Sequence, residues 1–311
     1  MVNSDIAFVF PGQGSQNVGM GKDLCDQFSV AKQVFAEADE ALGFSLSRLC
    51  FTGPEGDLKL TENTQPAILT TSVAALRVLE AETDLRPAYV AGHSLGEYSA
   101  LVAVGALAFR DAVTVVRARG QLMQQAVPAG HGAMAVILGL EMDAVRSLCV
   151  DASQNEVVAP ANYNGGGQIV IAGAKNAVVR AMALAKERGA KRALDLPVSA
   201  PFHCELMRPA ADGLKQVLRN ITVNPFTIGV VTNVEAVVNR DCQRVKDLLV
   251  EQAVRPVRWE ESVMQLCALG CQRALEIGPG KVLKGLNKRI APALQTGNLE
   301  TPQDLPSLKA A

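Results

Sequence analysis

Histidine is scarce in this chain: three occur among 311 residues, at positions 93, 131 and 203. A reaction that needs an imidazole must use one of them, so elimination is informative. Metal and disulfide patterns are missing as well. The seven cysteines are an odd number with no C-x-x-C pair, and no histidine pair accompanies Cys267 and Cys271 to complete a zinc site. Reduced thiols in a cytoplasmic protein, with no metal and no cofactor, are expected. Charge of one sign is lacking too: 30 Lys and Arg face 31 Asp and Glu, whereas a general nucleic-acid binder would be strongly basic. No apolar run reaches membrane length. The longest, Ala100 to Phe109, contains Gly105 and falls far short of a span. Met1-Val2-Asn3-Ser4-Asp5 lacks the basic start of a secretion signal, and the apolar residues 6–10 are too few for its core.

What is present is ample material for a core, 49% hydrophobic against 20% charged, enough for one large domain with an insertion or for two domains. Residues 6–10 read as a buried strand closed by Pro11-Gly12-Gln13-Gly14-Ser15. Helices are predicted over 22–41, 71–79 and 111–125, and strands over 228–232 and 273–277. This alternation implies an α/β fold with a mostly parallel, helix-covered sheet. Between these parts the pattern changes to strand 132–138, helix 142–149, strands 157–162 and 168–172, helix 177–188 and strand 192–198. That β-α-β-β-α-β order predicts a ferredoxin-like subdomain, residues 127–197, inserted into a large domain formed by 1–126 and 198–311. The end of the chain, polar and with two prolines, is expected to be a loose tail from about Thr296.

Gly92-His93-Ser94-Leu95-Gly96 reads G-x-S-x-G, after the run Ala88-Tyr89-Val90-Ala91 and before the helix-forming residues 97–103. A serine on such a sharp strand-to-helix turn has its hydroxyl exposed for attack on an acyl carbon. With glycine at 26 of 311 positions, the bare pattern has roughly one chance in ten of arising at random, so its context carries the argument. The serine needs a base. His93 is adjacent on the turn and should point away from the hydroxyl. His131 opens the inserted unit. His203, in Ser199-Ala200-Pro201-Phe202-His203 where the chain returns to the large domain, is favoured. Between 94 and 203 no acid stands out as a third member, so a dyad with a backbone carbonyl holding the ring is expected. One oxyanion donor should be the N–H of Leu95, and the other should come from Gly12-Gln13-Gly14.

The residues that complete the picture are Phe10-Pro11-Gly12-Gln13-Gly14-Ser15-Gln16, Thr64-Gln65-Pro66-Ala67, the serine turn followed by Glu97, Arg117-Ala118-Arg119-Gly120, Asn162-Tyr163-Asn164, Ala200-Pro201-Phe202-His203, residues 252–259 and Glu276-Ile277-Gly278-Pro279-Gly280. Taken in order, they make the chain resemble the malonyl-CoA:acyl-carrier-protein transacylases of fatty-acid synthesis, and more broadly the acyltransferase domains of polyketide and fatty-acid synthases. The resemblance implies an α/β-hydrolase-like large domain and ping-pong acyl transfer. In it Ser94 is the nucleophile, His203 the base, and the N–H groups of Gln13 and Leu95 the oxyanion donors. The main-chain carbonyl that holds the histidine falls on Gln252. Arg119 corresponds to the group that binds the malonyl carboxylate, and Phe202 and Asn162 to residues at the substrate. The implied partners are malonyl-CoA, as a thioester substrate, and an acidic acyl carrier protein that binds transiently. Basic clusters at Lys281, Lys284 and Lys288 and at Lys186, Arg188, Lys191 and Arg192 could steer it. A monomer is the default expectation, since no exposed apolar patch can be read from the sequence. A serine thioesterase or esterase is the alternative that the same turn would serve.

Overall fold

A computed structural model of the chain describes residues 5–198 and 200–309. Ser199 of the expected histidine loop, Met1–Ser4 of the start and the last two residues lie outside the described residues.

β1 (Ile6–Phe10) is buried along its whole length. Ile6, Phe8 and Phe10 join a core with Leu69, Val90 and Leu275 on one face. Ala7 and Val9 meet Ala91, Val231 and Trp259 on the other. Successive side chains of a strand point to opposite faces, so an unbroken apolar run marks a strand covered on both sides. The remaining strands are, in chain order, β2 (Tyr89–Gly92), β3 (Gly132–Leu138), β4 (Val158–Tyr163), β5 (Gln168–Ala174), β6 (Arg192–Asp195), β7 (Gly229–Val231), β8 (Val238–Asn239), β9 (Arg273–Ile277) and β10 (Gln295–Leu299). The larger sheet runs β10-β9-β1-β2-β7-β8. It is parallel except for β8, which pairs antiparallel with β7. The chain leaves β1 for β2 on one side and reaches β9 on the other, so the ends of β1 and β2 open at a switch point where sites assemble.

The smaller sheet, β4-β5-β3-β6, is antiparallel throughout. Ala135 and Ile137 of β3 pack under the helices Met142–Ser153 and Lys175–Glu187. Met134 and Val136, on the other face, pack against Met123, Phe202, Met207 and Ala253 of the larger unit. The two sheets also meet at the end of β4, where Tyr163 N donates to Val257 O at 2.9 Å and Val257 N to Ala161 O at 2.8 Å.

Four expectations are corrected. The segment expected as one helix is two, Lys22–Gln27 and Ser29–Leu42, separated by an extended Phe28 (φ −124°, ψ 120°) that turns the chain so that Leu24 and the stripe Ala31, Val34, Phe35 and Ala38 are all buried. The helix expected over 71–79 runs Thr61–Glu82, through Pro66. Sixteen of its 22 residues are buried, so it lacks the one-sided periodicity by which a surface helix is recognised. The loose tail does not exist among the described residues: β10 pairs in parallel with β9, and a short helix, Leu305–Lys309, follows. Parallel pairing uses the backbone, which a polar sequence such as Gln295–Leu299 can still supply. The last strand of the small sheet also stops at Asp195 rather than continuing to 198.

Candidate active site

The turn after β2 is as sharp as its glycines allow. A Cβ on Gly92 would lie 2.0 Å from the carbonyl carbon and oxygen of Gly96, and a Cβ on Gly96 would lie 2.1 Å from Phe10 O. Between them Ser94 takes φ 51°, a left-handed conformation that disfavours a β-carbon and costs about 1–3 kcal/mol. Asn233 holds the turn in that state: Ser94 N donates to its Oδ1 at 2.7 Å, and its Nδ2 donates to Gly92 O at 2.6 Å.

His203, also at positive φ (60°), reaches the serine from a loop 109 positions further on. Ser94 Oγ lies 2.7 Å from His203 Nε2, and His203 Nδ1 lies 2.7 Å from the main-chain oxygen of Gln252. A carbonyl only accepts, so the proton sits on Nδ1 and Nε2 is free to take the serine's proton. Burial, and after it the Arg119 guanidinium, hold this imidazole down to about 3, so it is a neutral base at pH 7. His93 does not face the hydroxyl: its Nε2 pairs with Asn164 Oδ1 at 2.9 Å and its ring packs near Trp259. His131 is exposed, in the turn before β3.

The two expected oxyanion donors face the same cleft, a space of about 590 Å³ open to solvent and lined by Gln13, Ser94, Leu95, Arg119, Phe202 and His203 among others. Ser94 N is already engaged by Asn233, whereas the N–H groups of Leu95 and Gln13 have no hydrogen-bond partner among the described residues. The Gln13 loop is pressed against the serine turn, since a Cβ on Gly12 would lie 2.4 Å from His93 O. Asn162, at the end of β4, and Phe202 line the cleft as well, together with Met123, Met134, Leu196 and Val198.

Arg119 projects from the helix Phe109–Ala126 into the back of the cleft, 2% exposed. Its Nη2 donates to Ser94 Oγ at 3.1 Å and to Gln252 Oε1 at 2.9 Å, and its Nη1 to Gln65 Oε1 at 2.7 Å. No carboxylate among the described residues forms an ion pair or hydrogen bond with it. Arg117 points away, toward Asn63 Oδ1 and the ring of Phe44. Gln65 and Asn233 carry no assigned role in the sequence reading. Gln65 stands in a quoted motif, but Asn233 has no local signal: it is an ordinary amide 139 positions from the serine.

The pattern of an acyl transferase domain matches residues 7–293. The chain is 50% identical over 299 residues to the malonyl CoA-acyl carrier protein transacylase of Escherichia coli strain K12, covering 96% of this chain and 97% of that one. Among solved structures it is similar to an acyl carrier protein S-malonyltransferase from Vibrio cholerae, with TM-score 0.96 and 53% identity over 98% of this chain and 100% of the other. It is also similar to a malonyl-transacylase solved in complex with its type II PKS acyl-carrier protein, with TM-score 0.96 and 46% identity over 99% of each chain.

Proposed function

The chain belongs to the acyl transferase family, and we propose the following course for the reaction it catalyses, transfer of a malonyl group from coenzyme A to acyl carrier protein. Ser94 Oγ attacks the thioester carbonyl while its proton passes to His203 Nε2. The Leu95 and Gln13 N–H groups hold the oxyanion. The tetrahedral intermediate expels the coenzyme A thiolate, which takes the proton from His203 and leaves malonyl-Ser94. The phosphopantetheine thiol of the carrier then gives its proton to His203 and attacks the ester, and Ser94 departs with that proton. The observation that carries this reading is the continuous chain from Ser94 Oγ through the His203 ring to Gln252 O, with Arg119 beside the same hydroxyl.

Arg119 receives the free carboxylate of the malonyl group. A guanidinium fork matches a carboxylate bidentately, and an acetyl group would leave the buried charge unanswered. Phe202 limits bulk at the α-carbon and Asn162 contacts the acyl group; both line the cleft. The chemistry needs no cofactor beyond the coenzyme A of the substrate. We further read 127–197 as a ferredoxin-like insertion in an α/β-hydrolase-like domain, 1–126 and 198–311. The protein acts as a cytoplasmic monomer in fatty-acid synthesis. No helix among the described residues is long and apolar enough to cross a membrane. An acidic carrier meets the exposed Lys281, Lys284 and Lys288 at the helix Val282–Ile290, where no acid pairs with them among the described residues. The second cluster is partly neutralised, since Arg188 pairs with Asp151.

The lifetime of the acyl-enzyme tests the reaction type. Malonyl-Ser94 should persist without carrier protein and discharge when the carrier thiol is added. Discharge to water that is equally fast without the carrier would make the protein a thioesterase.

A further inference from the structure

The side-chain amide of Gln252 stands between two buried ionisable groups, Arg119 and Glu97. Its Nε2 donates to Glu97 Oε2 at 2.7 Å and to Ser94 O at 3.0 Å. Its Oε1 accepts from Arg119 Nη2 at 2.9 Å, and its main-chain oxygen is the one that holds His203. A guanidinium only donates, so the Gln252 amide oxygen must face Arg119, which leaves its NH₂ group to Glu97 Oε2. The reversed orientation would set an NH₂ group against Arg119. Glu97 is 2% exposed, on the first turn of the helix that follows the nucleophile. Asn233 N donates to the same Oε2 at 3.2 Å, so that oxygen is pinned from two elements.

We propose that Glu97 is a positioning residue: by fixing the Gln252 amide it keeps Oε1 turned to Arg119, and so holds the guanidinium beside Ser94 in the place where it meets the acyl carboxylate. Gln252 thereby ties the base and the carboxylate-binding group to one residue, the first through its backbone and the second through its side chain. Nothing in this arrangement requires Glu97 to touch the substrate. Its effect should fall on acyl selectivity rather than on the dyad. The inference rests on the reading of Arg119 as the carboxylate-binding group.

The test compares rates of Ser94 acylation from malonyl-CoA and acetyl-CoA in the full chain, by quenched-flow intact mass. Glu97→Gln keeps an oxygen that can accept from both donors, and should stay within about threefold of the wild-type malonyl-to-acetyl ratio. Glu97→Met removes the acceptor and should lower that ratio by roughly tenfold or more, through a raised KM for malonyl-CoA, in line with loss of a charge-assisted hydrogen bond. Gln252→Met leaves the main-chain carbonyl for His203 and should lower the ratio alike; it carries the test alone if Glu97→Met does not fold. The double variant should be no worse than Gln252→Met. An unchanged ratio in the Met variants, or a loss in Glu97→Gln as large as in Glu97→Met, would overturn the proposal. Arg119→Met separates the two claims. If it too leaves the ratio intact, the carboxylate reading itself fails. If it lowers the ratio while Gln252→Met does not, only the role of Glu97 fails.

Discussion

Replacing Arg119 with methionine should convert a malonyl-selective acylation into a poorly discriminating one. The substitution keeps much of the side-chain volume and removes the charge. Arg119 is 2% exposed and meets Gln65, Gln252 and Ser94, none of them charged. Removing one partner of a buried ion pair typically costs about 3–5 kcal/mol, and the lower end applies here because the cleft opens to solvent. At 1.36 kcal/mol per tenfold, about 3 kcal/mol corresponds to a loss of roughly 150-fold in kcat/KM for malonyl-CoA. An acetyl group loses only the hydrogen bond from Nη2 to Ser94 Oγ, about 1 kcal/mol, or roughly fivefold. Removing the cation also lets the His203 imidazole rise, which offsets part of that smaller loss. The malonyl-to-acetyl ratio should therefore fall by roughly 30-fold. Single-turnover acylation with the two thioesters reads both numbers in one preparation. Equal losses for the two acyl groups would refute the reasoning, because they would assign Arg119 to the serine and not to the carboxylate.

Gly92→Ala should destabilise the fold by at least about 3 kcal/mol, because its new methyl would sit 2.0 Å from backbone atoms of Gly96 that cannot move aside; chemical denaturation against wild type checks this. Glu276 accepts from Leu283 N and Lys284 N at 3.0 and 2.8 Å, and burial pushes its carboxyl from 4.5 up to about 7. A raised acid binds its proton more tightly in the folded state, so its contribution is whole below pH 4.5 and is lost as the pH rises through 7. The stability of wild type relative to Glu276→Gln should fall across that window by up to about 3 kcal/mol, as read from denaturation midpoints at fixed ionic strength.

The parts of the site that were legible in the sequence are those with a local signature. Glycines two residues either side of Ser94 report a turn that only glycine can make, and three histidines leave few candidates for a base. The absence of an acid between 94 and 203 pointed to a carbonyl behind the imidazole, and Gln252 O lies 2.7 Å from Nδ1. What stayed hidden depends on tertiary contact between ordinary residue types. Asn233 and Glu97 are 136 positions apart, Gln252 and Glu97 155, and nothing near any of them in sequence marks the meeting. The fold divides in the same way. β1 was readable as an apolar run. The helix Thr61–Glu82 was only partly visible, because burial on nearly every side erases the periodicity that would reveal it. β10 was misread because polar side chains conceal a strand held by its backbone.

The central claim is that a malonyl group rests on Ser94 between the two half-reactions. Incubating the protein with labelled malonyl-CoA, without carrier protein, and mapping the label by peptide mass spectrometry tests it directly. The account predicts one malonyl ester, on the peptide that contains Ser94, which is released to the thiol of added carrier protein. A label on any other residue, or transfer to the carrier that survives Ser94→Ala, would contradict it.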